Sequence, residues 1–363
     1  MFEYLSYDFW FGPKLIKTRS EYKEYLAKQK EEFNKRLTNE KCPETRLKKF
    51  EFTGFIHTTL FGSLVEARRR KKDRKFFVRI EEKFEIVYQM GKLEWQMSMA
   101  QVKKIHRAVR SNFIAHLLYT IQDSKNLYLL TEHAPYGSLL HAMASNQDYF
   151  SEDDIKFCAA QIVLAFEYLH TCEILYRALS LKSVFIFADG YIKLCDFTAA
   201  KQTTKTTRSD VGIGGYRPPE VFGNRWYYTG FDWWSLGILI FHLYYEDFPF
   251  DLKGDDYDHD KRAIFKNPLE FYDEERGSTQ SCDLLTGLLQ KDQNNRLGVW
   301  GTGVLEVKKH PWFRDVDFLR IFSKRIRSPL KLVPLKTEPI DDLSSLIPTK
   351  EIDDKYLSRF RDF

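Results

Sequence analysis

Cysteine is scarce and scattered: Cys42, Cys158, Cys172, Cys195 and Cys282 lie far apart, are odd in number and never form a Cys-x-x-Cys pair. That spacing excludes a disulfide framework and a thiolate zinc site, and it fits a reducing compartment. No apolar run approaches the roughly 18 residues that a spanning helix needs, so no membrane span is expected. The start, MFEYLSYDFW, has neither the basic and apolar stretches of a secretory leader nor a glycine at position 2, so secretion and N-myristoylation are not expected. Charge of one sign is also scarce, because 56 basic against 51 acidic residues leave a formal net charge of +5. The main basic run, Arg68 to Lys72 with Arg74 and Lys75, is short, and charge alone does not imply a nucleic-acid partner. With 18 Gly and 12 Pro in 363 residues, a fibrous or disordered chain is excluded. What is present is ample core material: 43% of residues are hydrophobic and 16% aromatic. A single core stops growing near roughly 250–300 residues, so more than one lobe is expected. A location in the cytoplasm or nucleus follows as an expectation.

The chain divides by pattern. Residues 1–49 form an extension in which Tyr22, Tyr25, Leu26, Phe33 and Leu37 recur at helical spacing, predicting an amphipathic helix over about 21–40. Residues 50–133 read as a small β-rich lobe: FEFTGFIHT, LFGSLVEARRR, KFFVRIEE and NLYLLTEH as strands, with one helix at MSMAQVKKIHRAVR. Residues 138–313 read as a larger helical lobe, in which Ser151 and Asp154 mark a capping box before a long apolar-periodic helix. Short strands are expected at Ile174 to Tyr176, at Val184 to Ile186 and in YIKLCDF after the turn Asp189-Gly190. Residues 314–363, with Pro329, Pro334, Pro339 and Pro348, are expected to wrap as an extended tail ending in Phe360-x-x-Phe363.

Six co-linear stretches carry a resemblance. They are 168–201 (YLHTCEILYRALSLKSVFIFADGYIKLCDFTAAK), YRPPE at 216–220, FDWWSLGILIF at 231–241, Arg296 within NNRLG, GTGVLEVKKHPWF at 301–313, and the helix YKEYLAKQKEEFNKRL with the terminal Phe-x-x-Phe. Together they resemble protein kinases of the AGC group, and within it the catalytic subunit of cyclic-AMP-dependent protein kinase. The resemblance implies an α+β, bilobal protein kinase fold. It also implies phosphoryl transfer from ATP with Mg²⁺ to protein Ser or Thr, which needs a phosphate-cradling loop, a lysine held by a helix glutamate, a hydroxyl-orienting Asp and two metal-holding side chains.

Each of these parts is altered. The glycine-loop positions read His57-Thr58-Thr59-Leu60-Phe61-Gly62, so only Gly62 remains to let backbone amides close over phosphate. Arg79 replaces the lysine, and its planar fork prefers bidentate partners. The helix-glutamate position falls on Val102, or on Gln101 with a one-residue slip, and the nearest upstream acid is Glu94, so Arg79 is expected to lack its acid. Phe77 and Phe185 stand above and below the adenine slot and would fill it, leaving Gly62, Arg79 and Thr131 as remnants of a nucleotide site. In the catalytic loop Ala178 replaces the Asp, Ser180 the Lys and Ser183 the second metal ligand. Asp196 keeps the metal-binding position, either holding Mg²⁺ or capping backbone amides.

Architectural residues are kept. By the resemblance, Glu220 and Arg296 form a buried pair, Asp232 accepts amides of the catalytic loop, Phe197 stacks with Tyr176, and Phe360 and Phe363 dock on the small lobe. His106 replaces an apolar residue of that stack, so the small-lobe helix is expected to be poorly coupled to it. Thr207 aligns with the phosphorylated activation-segment threonine, with Arg177 and Lys201 as surviving cations, and a solvated polar loop is the alternative. The acids that would bind a substrate's arginines are Ser138, Lys182 and His242. Asp341, Asp342 and Leu343 stand where the family's tail touches adenine. The reading is a kinase fold without catalysis that binds protein partners, signalling kinases or their regulatory subunits, and needs no cofactor. A divergent Ser/Thr kinase and a nucleotide-binding switch remain as alternatives.

Overall fold

The computed structural model describes residues 16–39, 45–70, 74–92, 99–145, 149–271, 276–299, 303–340, 356, 360 and 363. Helix α1 (Arg19–Asn39) is polar on most faces and gains its place by tertiary anchors. Tyr22 donates to Glu167 Oε2 at 2.7 Å on the large lobe, and Arg36 Nε donates to the Ala108 carbonyl at 2.7 Å on the small one.

Strands β1 (Phe50–Thr58), β2 (Gly62–Arg69) and β3 (Lys75–Glu82) form an antiparallel meander. The chain then leaves the sheet as two helices, α2 (Lys83–Lys92) and α3 (Met99–Ala108), where the sequence predicts one. Phe84, Ile86, Val87 and Tyr88 favour strand by propensity. After Glu82, however, Lys83 bonds the turn at the far end of the sheet, N to the Lys125 carbonyl at 2.9 Å and Nζ to the Asp123 carbonyl at 2.6 Å. Strands β4 (Leu117–Gln122) and β5 (Asn126–Glu132) complete the lobe, with β5 paired to both β3 and β4.

The large lobe begins with α4 (Leu139–Ser145) and α5 (Glu152–Thr171). Ser151 and Asp154 cap α5 reciprocally: Asp154 N donates to Ser151 Oγ at 3.2 Å and Ser151 N to Asp154 Oδ2 at 3.0 Å. Two short ribbons follow, β6 (Ile174–Leu175) with β9 (Lys201–Gln202), and β7 (Val184–Ile186) with β8 (Ile192–Leu194). Helices α6 (Pro219–Phe222), α7 (Gly230–Tyr245), α8 (Tyr257–Lys266), α9 (Thr279–Leu288) and α10 (Val304–Lys309) pack around α5 and α7, which are buried almost throughout.

The tail is more structured than its proline spacing suggests. It adds a helix, α11 (Phe318–Phe322), capped by Asp317, and a two-residue strand, β10 (Glu338–Pro339), on the edge of β1. The sheet order is therefore β10-β1-β2-β3-β5-β4. Ring packing explains the helix: Phe322 meets Tyr22 and Tyr25 of α1 edge-on at 5.0 and 5.1 Å. No helix among the described residues is long and apolar enough to cross a membrane.

Candidate functional site

A cleft of about 430 Å³ opens between the lobes, lined by the β1–β2 turn, β3, α3, the loop 180–185 and the segment 195–198. The turn is a closed hairpin, with Thr59 N donating to the Gly62 carbonyl at 2.8 Å and Glu82 N to the Phe61 carbonyl at 2.7 Å. Gly62 is needed for packing, since a Cβ there would stand 2.2 Å from the Ile80 carbonyl oxygen. Its presence reflects the close approach of β3 and says nothing for phosphate.

The back of the cleft is filled by side chains. Phe77 on β3 and Phe185 on β7 meet edge-on with centroids 5.2 Å apart, and they are 1% and 2% exposed. Phe77 also meets His133 at 5.1 Å, and His57 lies over Phe185 at 6.4 Å. Leu64, Ala115, Ala134 and Phe187 complete this cluster, and Leu335 of the tail packs against it. Leu335 N donates to the Pro135 carbonyl at 2.8 Å, which ties the tail to the connection between lobes. Thr131 is buried on β5 beside Phe77 in the sheet register. Phe77 and Phe185 thus close the aromatic end of the cleft, where the resemblance would place an adenine ring.

Arg79 does have acidic partners, contrary to the expectation from Val102. Val102 is buried on α3, and Glu94 lies outside the described residues. The acid comes instead from Glu81, two residues along the same strand and therefore on the same face. Arg79 Nε bonds Glu81 Oε1, and Arg79 Nη2 reaches across the cleft to Asp196 Oδ2 at 2.9 Å. Asp196 Oδ1 accepts from Thr198 N at 2.9 Å and from Thr198 Oγ1 at 2.6 Å. Both Asp196 oxygens are therefore engaged by protein, one by Arg79 and the other by Thr198. The residues present do not fit a magnesium nucleotide: the ring slot is filled and the metal carboxylate is paired.

One guanidinium between two buried carboxylates has an electrostatic consequence. Burial pushes the Glu81 carboxyl up to about 7 against the pull of Arg79, and Asp196 adds to the rise. The folded chain therefore holds a proton that the unfolded chain releases above its ordinary value of 4.5. This contribution to stability is complete below 4.5 and is lost as the pH rises through about 7. Glu81→Gln, which keeps shape and acceptor but not charge, should gain roughly 1–3 kcal/mol over wild type near pH 8 and almost nothing near pH 4.5. Denaturant melts at the two pH values test this, and an identical difference at both would assign the effect to another group.

The catalytic loop is held as a scaffold. Asp232, fully buried on α7, accepts from Tyr176 N at 3.0 Å, Arg177 N at 2.8 Å and His170 Nε2 at 2.8 Å. These bonds hold Arg177 in a left-handed conformation at φ 57°. Ala178 is fully buried. Ser180 and Ser183 satisfy each other, Ser180 N donating to Ser183 Oγ at 2.9 Å and Ser183 Oγ to the Ser180 carbonyl at 3.0 Å. His106 corrects a second expectation. Its ring stacks on Phe197 with centroids 4.3 Å apart and 10° between planes, and Phe197 meets Tyr176 at 5.4 Å. His106 Nε2 lies 2.8 Å from the Ala115 carbonyl, and burial drives its pKa down to about 4, so a neutral imidazole substitutes for an apolar side chain. The small-lobe helix is coupled to the core.

The activation segment is ordered by its own side chains. Thr207 is 4% exposed and not a solvated loop residue. It exchanges backbone bonds with Tyr227 at 2.9 Å, and its hydroxyl accepts from Lys201 Nζ at 2.9 Å. Arg177 donates to the Ala199 carbonyl at 2.9 Å and to Tyr227 Oη at 3.0 Å, while its Nη2 is buried without a partner. Glu220 and Arg296 form a bidentate buried pair at 2.6 and 2.9 Å. Ser138 caps α4 by accepting from His141 N at 3.2 Å, Lys182 is exposed on the cleft rim, and burial lowers His242 to about 4. Phe360 is 3% exposed with Lys83 Nζ 5.4 Å from its ring, and Lys103 Nζ lies 5.2 Å from the ring of Phe363, so both sit on the small lobe. Asp341, Asp342 and Leu343 lie outside the described residues. Glu81 and Tyr227 are the two contributors that sequence reasoning passed over. The alternation Arg79, Glu81 on one strand was a readable signal for the first, whereas only the pairing of 207 with 227 brings the second into view.

Comparison with known proteins agrees with this architecture. A family model described as "protein kinase domain" matches residues 58–313. The chain is 32% identical over 292 residues to a cAMP-dependent protein kinase catalytic subunit of Dictyostelium discoideum, covering 78% of this chain and 42% of that protein. It is 29% identical over 299 residues to the human cAMP-dependent protein kinase catalytic subunit PRKX, covering 79% and 78%, and 31% identical over 290 residues to the mouse protein, covering 75% and 77%. The chain thus spans less than half of the Dictyostelium relative and over three quarters of the mammalian ones.

Proposed function

Since the chain belongs to the protein kinase domain family, we propose that it is a member without phosphoryl transfer, acting as a protein-binding or regulatory module in kinase signalling. The observation that carries this reading is the pairing of Asp196 with Arg79 and Thr198 beneath a ring slot filled by Phe77 and Phe185. Ala178 supports it, because alanine can neither orient nor deprotonate a hydroxyl. On this reading neither ATP nor Mg²⁺ is a resident cofactor. The partners are proteins, signalling kinases or their regulatory subunits, met in the cytoplasm or nucleus.

The test is direct. Purified chain given labelled ATP, Mg²⁺ and basic Ser/Thr peptides should incorporate no more phosphate than the Asp196→Ala variant. Millimolar Mg-ATP should leave the melting temperature unchanged, whereas a ligand of the folded state at a hundredfold its Kd would add about 2.7 kcal/mol. Incorporation that Asp196→Ala abolishes would establish the second reading, a divergent Ser/Thr kinase. The aligned stack of His106, Phe197 and Tyr176 favours that second reading, because it holds Asp196 and the catalytic loop in a fixed relation. A saturable thermal shift without incorporation would mark a nucleotide-binding switch.

Regulation through Thr207 belongs to the same proposal. Phosphate there would meet Lys201 and the unpartnered Nη2 of Arg177 in charge-assisted hydrogen bonds. Because Arg177 already bonds Ala199 and Tyr227, Arg177→Ala should loosen the unmodified segment too, by roughly 1–3 kcal/mol. Limited proteolysis within 203–217 reads this, and equal cleavage of variant and wild type would leave Arg177 without an ordering role.

A further inference from the structure

Two basic stretches separated in sequence meet at one end of the small-lobe sheet. Arg46, Lys48 and Lys49 precede β1, and Arg68, Arg69, Arg70, Arg74 and Lys75 flank the β2–β3 turn. The strand register joins them: Phe50 pairs with Arg69 and Arg68 with Lys75, while Arg70 N donates to the Lys49 carbonyl at 2.8 Å and Arg69 N to the Arg74 carbonyl at 3.0 Å. All but Arg69 are exposed. The described residues there hold three carboxylates: Glu51, paired with Arg68 at 3.1 Å, Glu66, which is buried and paired with Lys75 at 3.1 Å, and Glu132 opposite Phe76, paired with Lys193 at 2.8 Å. Eight cations therefore gather at one end of β1, β2 and β3, three on the strands and five in the segments that flank them, in a chain whose whole net charge is only +5.

We propose that this end of the sheet docks on an anionic membrane surface. Cations on and beside the ends of neighbouring strands, themselves about 4.8 Å apart, match a plane of phosphate and carboxylate headgroups. A protein partner would need an apolar centre to the contact, and single-stranded nucleic acid would need exposed rings on which bases stack. None of the exposed large apolar side chains among the described residues lies on this end of the sheet. Arginine also suits the role, because its fork bonds phosphate bidentately. The patch stands at the opposite end of β1 from the cleft turn, roughly 25–30 Å away at about 3.3 Å per residue, so docking would leave the cleft facing away.

The experiment uses the full chain and sedimentation with vesicles of phosphatidylcholine alone or with about 30% phosphatidylserine. Wild type should bind the anionic vesicles at least tenfold more tightly than the neutral ones, and the difference should vanish near 0.5 M salt, where the screening length is only about 4 Å. The triple variant Lys48→Glu, Lys49→Glu, Arg70→Glu should lose about a hundredfold or more in affinity while keeping its melting temperature. The control Lys261→Glu, Lys266→Glu, Arg325→Glu, with equal charge change on the large lobe and the tail, should bind as wild type does. Equal binding to both vesicle types, or an equal loss in the two variants, would overturn the proposal. So would capture of a duplex oligonucleotide or polyglutamate, lost in the triple variant, by a chain that ignores anionic vesicles.

Discussion

Arg296→Ala should cost about 3–5 kcal/mol, enough to take the large lobe to the edge of unfolding. The Arg296 side chain is fully buried and makes two bonds to Glu220, one to the Gly230 carbonyl at 2.9 Å, and two to the Gln290 carbonyl at 3.1 and 3.0 Å. Its guanidinium carbon also lies 5.0 Å from the centre of the Trp234 ring. Removing it strands the Glu220 carboxylate, which is 2% exposed, and takes the side-chain donors from the Gln290 carbonyl. The double variant Arg296→Met, Glu220→Leu, which removes both charges, should lose markedly less than Arg296→Ala. Urea titrations of the two variants test this, and a single-variant loss below about 1 kcal/mol would place the pair among weak, solvent-screened contacts.

Phe77→Ala should lower stability by about 3–5 kcal/mol, towards the low end if water enters the space from the cleft. The same change should create a binding site. With Phe77 gone, space opens above Phe185 and beside Thr131, next to the cleft, so adenosine should raise the variant's melting temperature and leave wild type untouched. Mg²⁺ should add nothing, because Arg79 and Thr198 still hold Asp196. A variant that loses stability but ignores adenosine would mean that neighbouring rings collapse into the gap. A Mg²⁺-dependent gain would mean that the Arg79–Asp196 pair yields to metal.

Both substitutions act on the side of the molecule most legible in the sequence. The bilobal architecture follows from co-linear motifs: the Asp232 loop anchor, the Glu220–Arg296 pair and the capping box at Ser151 each depend on residue identity at a set spacing. So do the losses of chemistry, since Ala178, Ser180 and Ser183 are read off directly. β1 likewise runs over the stretch 50–58 that the alternation of large residues marks out.

What tertiary structure alone decides is where charges and rings end up relative to one another. Val102 predicts an arginine without an acid, yet lobe closure brings Asp196 to it from across the cleft, on the face of β3 where Glu81 already stands two residues along the strand. His106 reads as a polar intruder in an apolar stack, but burial keeps it neutral and its flat ring lies on Phe197. Thr207 reads as a loop residue until Tyr227, twenty residues on, pairs with it. Arg46 to Lys49 and Arg68 to Lys75 are unremarkable runs until β1 and β2 lay them side by side. Residue types and their spacing report which groups exist and how local segments fold, because propensity and periodicity act within a few residues. Burial, desolvation and the meeting of distant charges depend on how the whole chain closes, and those are the quantities that set the chemistry of this cleft.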